Sequence, residues 1–169
     1  MKLTDLLPPD AWQKFEAELF DHFFLNCTVY NDSGIGITGK PNWCNALCPE
    51  IKSNPNSLAT ICAAGNQFFM AEARNTGKPV IDACDAGMLK IAVPVVVAGA
   101  FLGTAGGCGR LPEGGKVDTF IIQKTTGLDE SAITALSGGL KPMTPSEALT
   151  VARYIEKRLG EIVTSYQET

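Results

Sequence analysis

Apolar positions near the N-terminus recur at helical spacing. Trp12, Phe15, Leu19, Phe20, Phe23 and Phe24 share one side of a helix predicted over 11–26, behind Pro8-Pro9-Asp10. Its aromatic face is expected in the core. Cys27-Thr28-Val29-Tyr30, the turn residues Asn31-Asp32-Ser33-Gly34 and Ile35-Gly36-Ile37-Thr38 then read as strand, tight turn and strand.

Residues 41–49 read as irregular or briefly helical, with Cys44 and Cys48 four apart and able to share one face of a helical turn. Asn54 caps a helix that starts at Pro55 and runs to about 74, placing Cys62 near its first turns. A short strand over 80–84 precedes an apolar strand over 90–97, where Pro94 argues for an edge or a bulge. Ala98-Gly99 turns the chain back into a glycine-rich strand ending at Cys108, and 111–115 reads as a loop. Helical stretches follow over 117–124 and 130–136. The last helix has Thr144 as cap and Pro145 at its first position, and it carries the stripe Leu149, Ala152, Ile155, Leu159 and Ile162. That stripe is expected to pack on the chain's own core rather than on a second copy. The order describes an α+β fold, an antiparallel sheet flanked by helices as in sensor domains of the PAS and GAF type, with extra C-terminal helices.

A length of 169 residues suits one domain with an ordinary core. Hydrophobic residues make up 45% and charged ones 19%, and the net charge of −4 leaves no basic footprint, so nucleic acid is not an expected partner. Neither a signal-peptide pattern nor an apolar run long enough to span a bilayer is present, which places the chain in the cytoplasm rather than at a membrane.

Composition leaves the cysteines as the strongest chemical signal. Five of the six, Cys44, Cys48, Cys62, Cys84 and Cys108, lie within residues 44–108 at spacings x3, x13, x21 and x23, which match no short zinc-ribbon or ferredoxin pattern. In a reducing compartment such thiols serve as metal ligands, as redox groups or as small apolar packing. Cys27, alone in an apolar run, reads as packing. The one histidine, His22, sits among phenylalanines with no nucleophile pattern around it, and residues 103–107 lack the lysine of a phosphate loop. No catalytic constellation emerges, and the chain is expected not to be an enzyme.

Several segments together carry a family resemblance. They are Leu6-Leu7, Cys48 and Cys62 with Ser53-Asn54-Pro55 between them, Gly77-Lys78-Pro79, Cys84-Asp85-Ala86-Gly87-Met88, and Ala92-Val93-Pro94-Val95 followed by Gly99, Gly103 and Gly107. Over roughly residues 3–111 the chain resembles the PocR sensory domain, a PAS/GAF-like module of prokaryotic regulators proposed to sense small hydrocarbon derivatives such as short diols. The rest, about 116–166, is expected to be a helical extension. The resemblance implies a small-molecule sensor that signals through a downstream partner or as a homodimer, since no output segment follows within the sequence. Ligand contacts are expected at Trp43, Gly87, Met88 and Gly107.

Two departures from the family pattern add sulfur. Cys108 stands where glutamine is common, and Cys44 is additional. The expected site is therefore a pocket of Cys48, Cys62, Cys84 and Cys108, with Cys44 as a spare ligand, holding an iron–sulfur cluster or a zinc ion. The alternatives are a metal-free pocket for an alcohol- or diol-like metabolite, and a redox sensor in which Cys44 and Cys48 form a reversible disulfide.

Overall fold

The computed structural model describes residues 1–169. Helices α1 (Leu3–Leu6) and α2 (Pro9–Phe23) lead into strand β1 (Asn26–Asn31). A mostly helical run follows: α3 (Leu47–Ser53), α4 (Pro55–Ser57), a π-helical segment (Leu58–Ala63) and α5 (Ala64–Thr76). Next come β2 (Val80–Ala83), β3 (Leu89–Val97) and β4 (Ala100–Pro112), then α6 (Thr119–Thr126), α7 (Glu130–Ser137), β5 (Pro142–Met143) and α8 (Pro145–Gln167). The first four strands form an antiparallel sheet in the order β1-β4-β3-β2, and β5 joins the end of β4 in parallel. The fold is α+β with helices flanking the sheet.

Strand alternation gives the two faces of this sheet different chemistry. Cys27, Val29, Leu89, Ile91, Val93, Val95 and Ala105 enter the main core together with α1, α2 and α8. Their neighbours one residue away, Asn26, Thr28, Tyr30, Lys90, Ala92, Thr104, Gly106 and Cys108, line a cleft on the opposite face, closed by Phe69 and Met70 of α5. A second, smaller core joins α3, the π segment, Ala86, Met88, α6 and α7.

Local chemistry explains most element boundaries. Pro9 opens α2, and Phe24, at φ 52°, ends it in the left-handed region and sends Leu25 into the core. Asn54 accepts from the backbone N–H groups of Asn56 and Ser57, and Gly77 stops α5 at φ 64°. Thr144 and Glu147 form a reciprocal capping box at α8. Ala98 and Gly99, both at positive φ, make the tight turn between β3 and β4.

Four expectations need correction. The hairpin predicted after β1 is much shorter than expected: residues 35–38 return only as far as one antiparallel bridge, Tyr30 to Gly36, with backbone hydrogen bonds from Asn31 to Ile35 and from Ile37 to Val29, and the full-length partner of β1 is β4. The loop predicted from Leu111 is instead the end of β4, because β5 offers Leu111 and Pro112 a partner. The helix expected to run unbroken from Pro55 is interrupted by the π segment. In α8 the buried positions are Ala148, Val151, Ala152, Ile155 and Leu159, while Leu149 is 48% exposed; the helix is part of the main core beside α2 and β3 rather than an appendage. Pro94 lies on a strand with neighbours on both sides. The pairing with β2 ends at Ala92, however, so β3 is locally an edge where the proline sits.

Glu16 fastens α2 to β1. It is 1% exposed, and its carboxylate accepts from the Val29 N–H at 2.7 Å and from the Thr38 hydroxyl at 2.5 Å. Burial pushes its carboxyl above the usual glutamate value, and the two hydrogen bonds only partly oppose this. The folded state therefore holds this proton more tightly than the unfolded chain does. Stability from this group is greatest at low pH and falls as pH rises through and beyond the ordinary glutamate range. In urea titrations from pH 4 to 8, Glu16→Gln is expected to remove that part of the decline.

Two glycines of β4 permit its close pairing. A Cβ on Gly106 would lie 1.8 Å from the Ile91 carbonyl oxygen, and one on Gly103, at φ 148°, would lie 2.0 Å from that of Tyr30. Gly106→Ala is expected to cost about 3 kcal/mol or more, read as a lower urea midpoint, because the clash is with backbone that cannot swing aside.

Candidate functional site

Four cysteines reach one cavity from four separate parts of the chain. Cys48 is placed by Asn45, whose Oδ1 accepts from the Leu47 and Cys48 backbone N–H groups at 2.9 and 2.7 Å at the start of α3. The Asn45 Nδ2 donates to the Gly109 carbonyl at 2.8 Å and reaches Cys48 Sγ at 3.3 Å, tying α3 to β4. Cys62 lies in the π segment, an insertion geometry common at functional sites. Cys84 sits in the turn after β2, held by Gly87 N–H donating to its carbonyl at 2.8 Å and by its own N–H donating to Met88 at 2.7 Å. Cys108 is on β4, opposite Asn26 of β1 and Lys90 of β3.

The cavity that these thiols surround is also lined by Ile51, Ile61, Ala86, Met88, Lys52, Lys90, Tyr30 and Asn66. Room for the centres of water-sized groups is about 30 Å³, enough for a few heavy atoms and far too little for a nucleotide or a haem. Met88 Sδ lies 3.6 Å from Cys48 Sγ. A smaller polar compartment of about 10 Å³ adjoins it and shares Tyr30, Asn66, Lys90 and Cys108.

Of the residues expected to contact a ligand, only Met88 lines the cavity. Trp43 is half-buried on the outside of the second core, with Lys52 Nζ 5.5 Å from its ring centroid. Gly87 shapes the turn at φ 87°, where a Cβ would strike the Lys116 carbonyl at 2.5 Å. Gly107 faces the main core, since its Cβ position lies 2.8 Å from Leu25 and 3.2 Å from Cys27 Sγ; only its backbone borders the polar compartment. Cys44 is 5% exposed and lies behind the lining, its Sγ 3.7 Å from the Cys108 carbonyl oxygen. It shares no helical turn with Cys48, because α3 begins only at Leu47. Cys27, one residue out of phase with the site-facing positions of β1, is core.

Lys52 and Lys90 were not singled out by the sequence pattern. Lys90 is 9% exposed, donates from Nζ to Asn66 Oδ1 at 2.5 Å, and lies 5.4 and 5.7 Å from the ring centroids of Tyr30 and Phe69. A lysine in an otherwise apolar strand is the signal that would have found it. Neither lysine has a carboxylate partner, and no Asp or Glu lines either compartment.

All six cysteines are free. Burial pushes the Cys48 and Cys84 thiols up, and it pushes Cys62 up to about 11, with the Lys52 ammonium pulling Cys62 back toward ionisation. These three thiols are neutral near pH 7. No group of three or more His, Cys, Asp or Glu side chains stands close enough to hold a metal ion. No helix is long and apolar enough to cross a membrane.

A sheet with one polar face closed by helices over a small enclosed cavity has the form of a small-ligand pocket. The sequence model described as the sensory domain found in PocR matches residues 5–166, and the chain belongs to that family. The match extends past the region of resemblance near Leu111 and takes in α6, α7 and α8. Searches of curated proteins and of solved structures found no match.

The neutral state of Cys62 has a direct readout. At pH 7.5 its alkylation by iodoacetamide, followed site by site by mass spectrometry, is expected to be about 100-fold slower than for an unshifted thiol, in line with its smaller thiolate fraction. Lys52→Met is expected to slow it further.

Proposed function

We propose that this PocR domain is a cytoplasmic sensor module whose signal is a small molecule of a few heavy atoms, received in the cysteine-lined cavity. One observation carries this: a space of about 30 Å³ is walled by Cys48, Ile51, Ile61, Cys62, Cys84, Ala86, Met88 and Cys108, a mostly apolar and sulfur surface on which burial keeps the Cys48, Cys62 and Cys84 thiols neutral. Binding there would tie α3, the π segment and the sheet together. Output then passes to a downstream signalling protein or through a second copy of the chain. No catalytic role is assigned to any residue.

A second reading has its own support, the convergence of four cysteines from four elements. In it Cys48, Cys62, Cys84 and Cys108 hold an iron–sulfur cluster, with Lys52 and Lys90 offsetting the negative charge of four thiolates. A single zinc is disfavoured. Zn–S bonds of about 2.3 Å need sulfurs about 3.8 Å apart, and no group of ligands is so tightly gathered. Cys44, behind the lining, has no part in either reading.

One preparation separates them. Protein purified without oxygen is analysed for iron, zinc and sulfide and by visible absorption, then screened by thermal shift against two- to four-carbon alcohols, diols, aldehydes and carboxylates. The small-molecule reading expects a colourless, metal-free protein and a rise of roughly 5–10 °C at a hundredfold excess over Kd for one ligand class, abolished by filling the cavity with Cys62→Leu. A brown sample with iron and sulfide, bleached by Cys84→Ser and by Cys108→Ser, would establish the cluster instead.

A further inference from the structure

The two compartments differ in chemistry but are continuous through shared residues. The larger is apolar and sulfur-lined; the smaller holds Asn26, Thr28, Lys90 and Thr104. Asn26 is 5% exposed, and its Oδ1 is used by the Cys44 backbone N–H at 2.7 Å. Its Nδ2 is buried and has no hydrogen-bond partner. A buried amide donor left unmatched costs on the order of 1–3 kcal/mol; it packs against Gly109 beside Cys44 Sγ, so an acceptor from outside the chain gains it only through a local shift of the Asn26 side chain.

Charge points the same way. Lys90 brings a buried positive charge to the boundary of the two compartments and Lys52 a second to the larger one, while no carboxylate lines either. Asn66 and the rings of Tyr30 and Phe69 solvate Lys90 but do not neutralise it. A cationic ligand is repelled, and a neutral alcohol leaves the charge uncompensated. Phosphate or sulfate would set charged oxygens against the thiol and methionine wall. What matches both ends is an anionic head on a short apolar tail.

We infer that the ligand is a short-chain carboxylate, its head beside Lys90 Nζ at the boundary of the two compartments, on the side of Asn26, and its tail against Cys108, Cys48 and Met88. This rests on the small-molecule reading of the cavity. Compartments of about 10 and 30 Å³ hold roughly three or four water-sized groups, which matches acetate or propionate. Longer chains exceed the space.

The test is calorimetric titration of the intact chain with sodium acetate and sodium propionate, against ethanol, 1-propanol and 1,3-propanediol, with sodium chloride matching ionic strength. Expected are saturable binding of the carboxylates, at least tenfold weaker binding of the alcohols, and at least tenfold loss of carboxylate affinity in Lys90→Met and in Asn26→Asp. The second variant keeps the acceptor for Cys44 N–H while replacing the free donor with a negative oxygen. Ligand-free melting curves confirm that each variant folds; if Lys90→Met does not, Lys90→Gln takes its place.

Alcohols binding as tightly as carboxylates, or folded variants binding carboxylate like the parent, would overturn the carboxylate assignment and leave the small-molecule cavity standing. Absence of binding by every compound overturns the assignment as well. Iron and sulfide measured on the same sample then show whether a cluster fills the cavity, in which case the small-molecule reading fails with it.

Discussion

The close approach of β4 to both of its antiparallel neighbours is the constraint on which the site depends. Gly103 sits against the β1 backbone at Tyr30 and Gly106 against the β3 backbone at Ile91, at distances that admit no side chain. That contact fixes the register, and the register sets Cys108 opposite both Asn26 and Lys90. A slip of one residue would turn Cys108 into the main core and bring Gly107 to the site face. The sulfur, amide and ammonium groups of the site are thus placed by glycines that bring no side chain to it.

Burial then determines what those groups can be. Thiols enclosed by Ile51, Ile61 and Ala86 lose hydration that only their charged form needs, so they stay protonated and act as polarizable wall. The lysines respond differently. Burial disfavours a charged Lys52, but Tyr30 and the thiols of Cys108, Cys62 and Cys48, which become anions only at high pH, hold its proton there and keep it above the usual lysine value, so it is charged near pH 7. The cavity is therefore neutral on its sulfur side and positive on its amine side. That asymmetry gives an entering ligand an orientation as well as a fit.

Much of this was legible in the chain. Caps and breakers are local, and Asn54-Pro55, Gly77, Ala98-Gly99 and Thr144-Pro145 marked their boundaries because each satisfies or terminates backbone within a few residues. The convergence of Cys48, Cys62 and Cys84 was legible too, through the family pattern, and that of Cys108 through its place at the end of the glycine-rich strand. What local rules cannot supply is choice of partner. Residues 31–38 carry a good hairpin signal, but β1 pairs with β4, some eighty residues away in sequence, and β5 converts an expected loop into strand. Face assignment failed for a similar reason. Gly107 and Cys108 are adjacent, and only the register shows which of them points to the site. The π segment also left no trace, since one added residue in a turn changes phase without changing composition.

The cysteine at position 108, where the sequence resemblance implies glutamine, acquires a physical meaning from this arrangement. A glutamine here, on the boundary of both compartments, would bring two N–H donors and a carbonyl within reach of a hydroxylated ligand. Cysteine removes nearly all of that hydrogen-bonding capacity and leaves a shorter, softer wall. Polar recognition then falls to residues with fixed character, Lys90 with its charge and Asn26 with its unmatched donor. Hydroxyl groups, which need both donors and acceptors, lose more from such a change than a carboxylate, which needs donors alone. With a carboxylate as the ligand, Cys108 thus costs the site less than it would with a hydroxylated one.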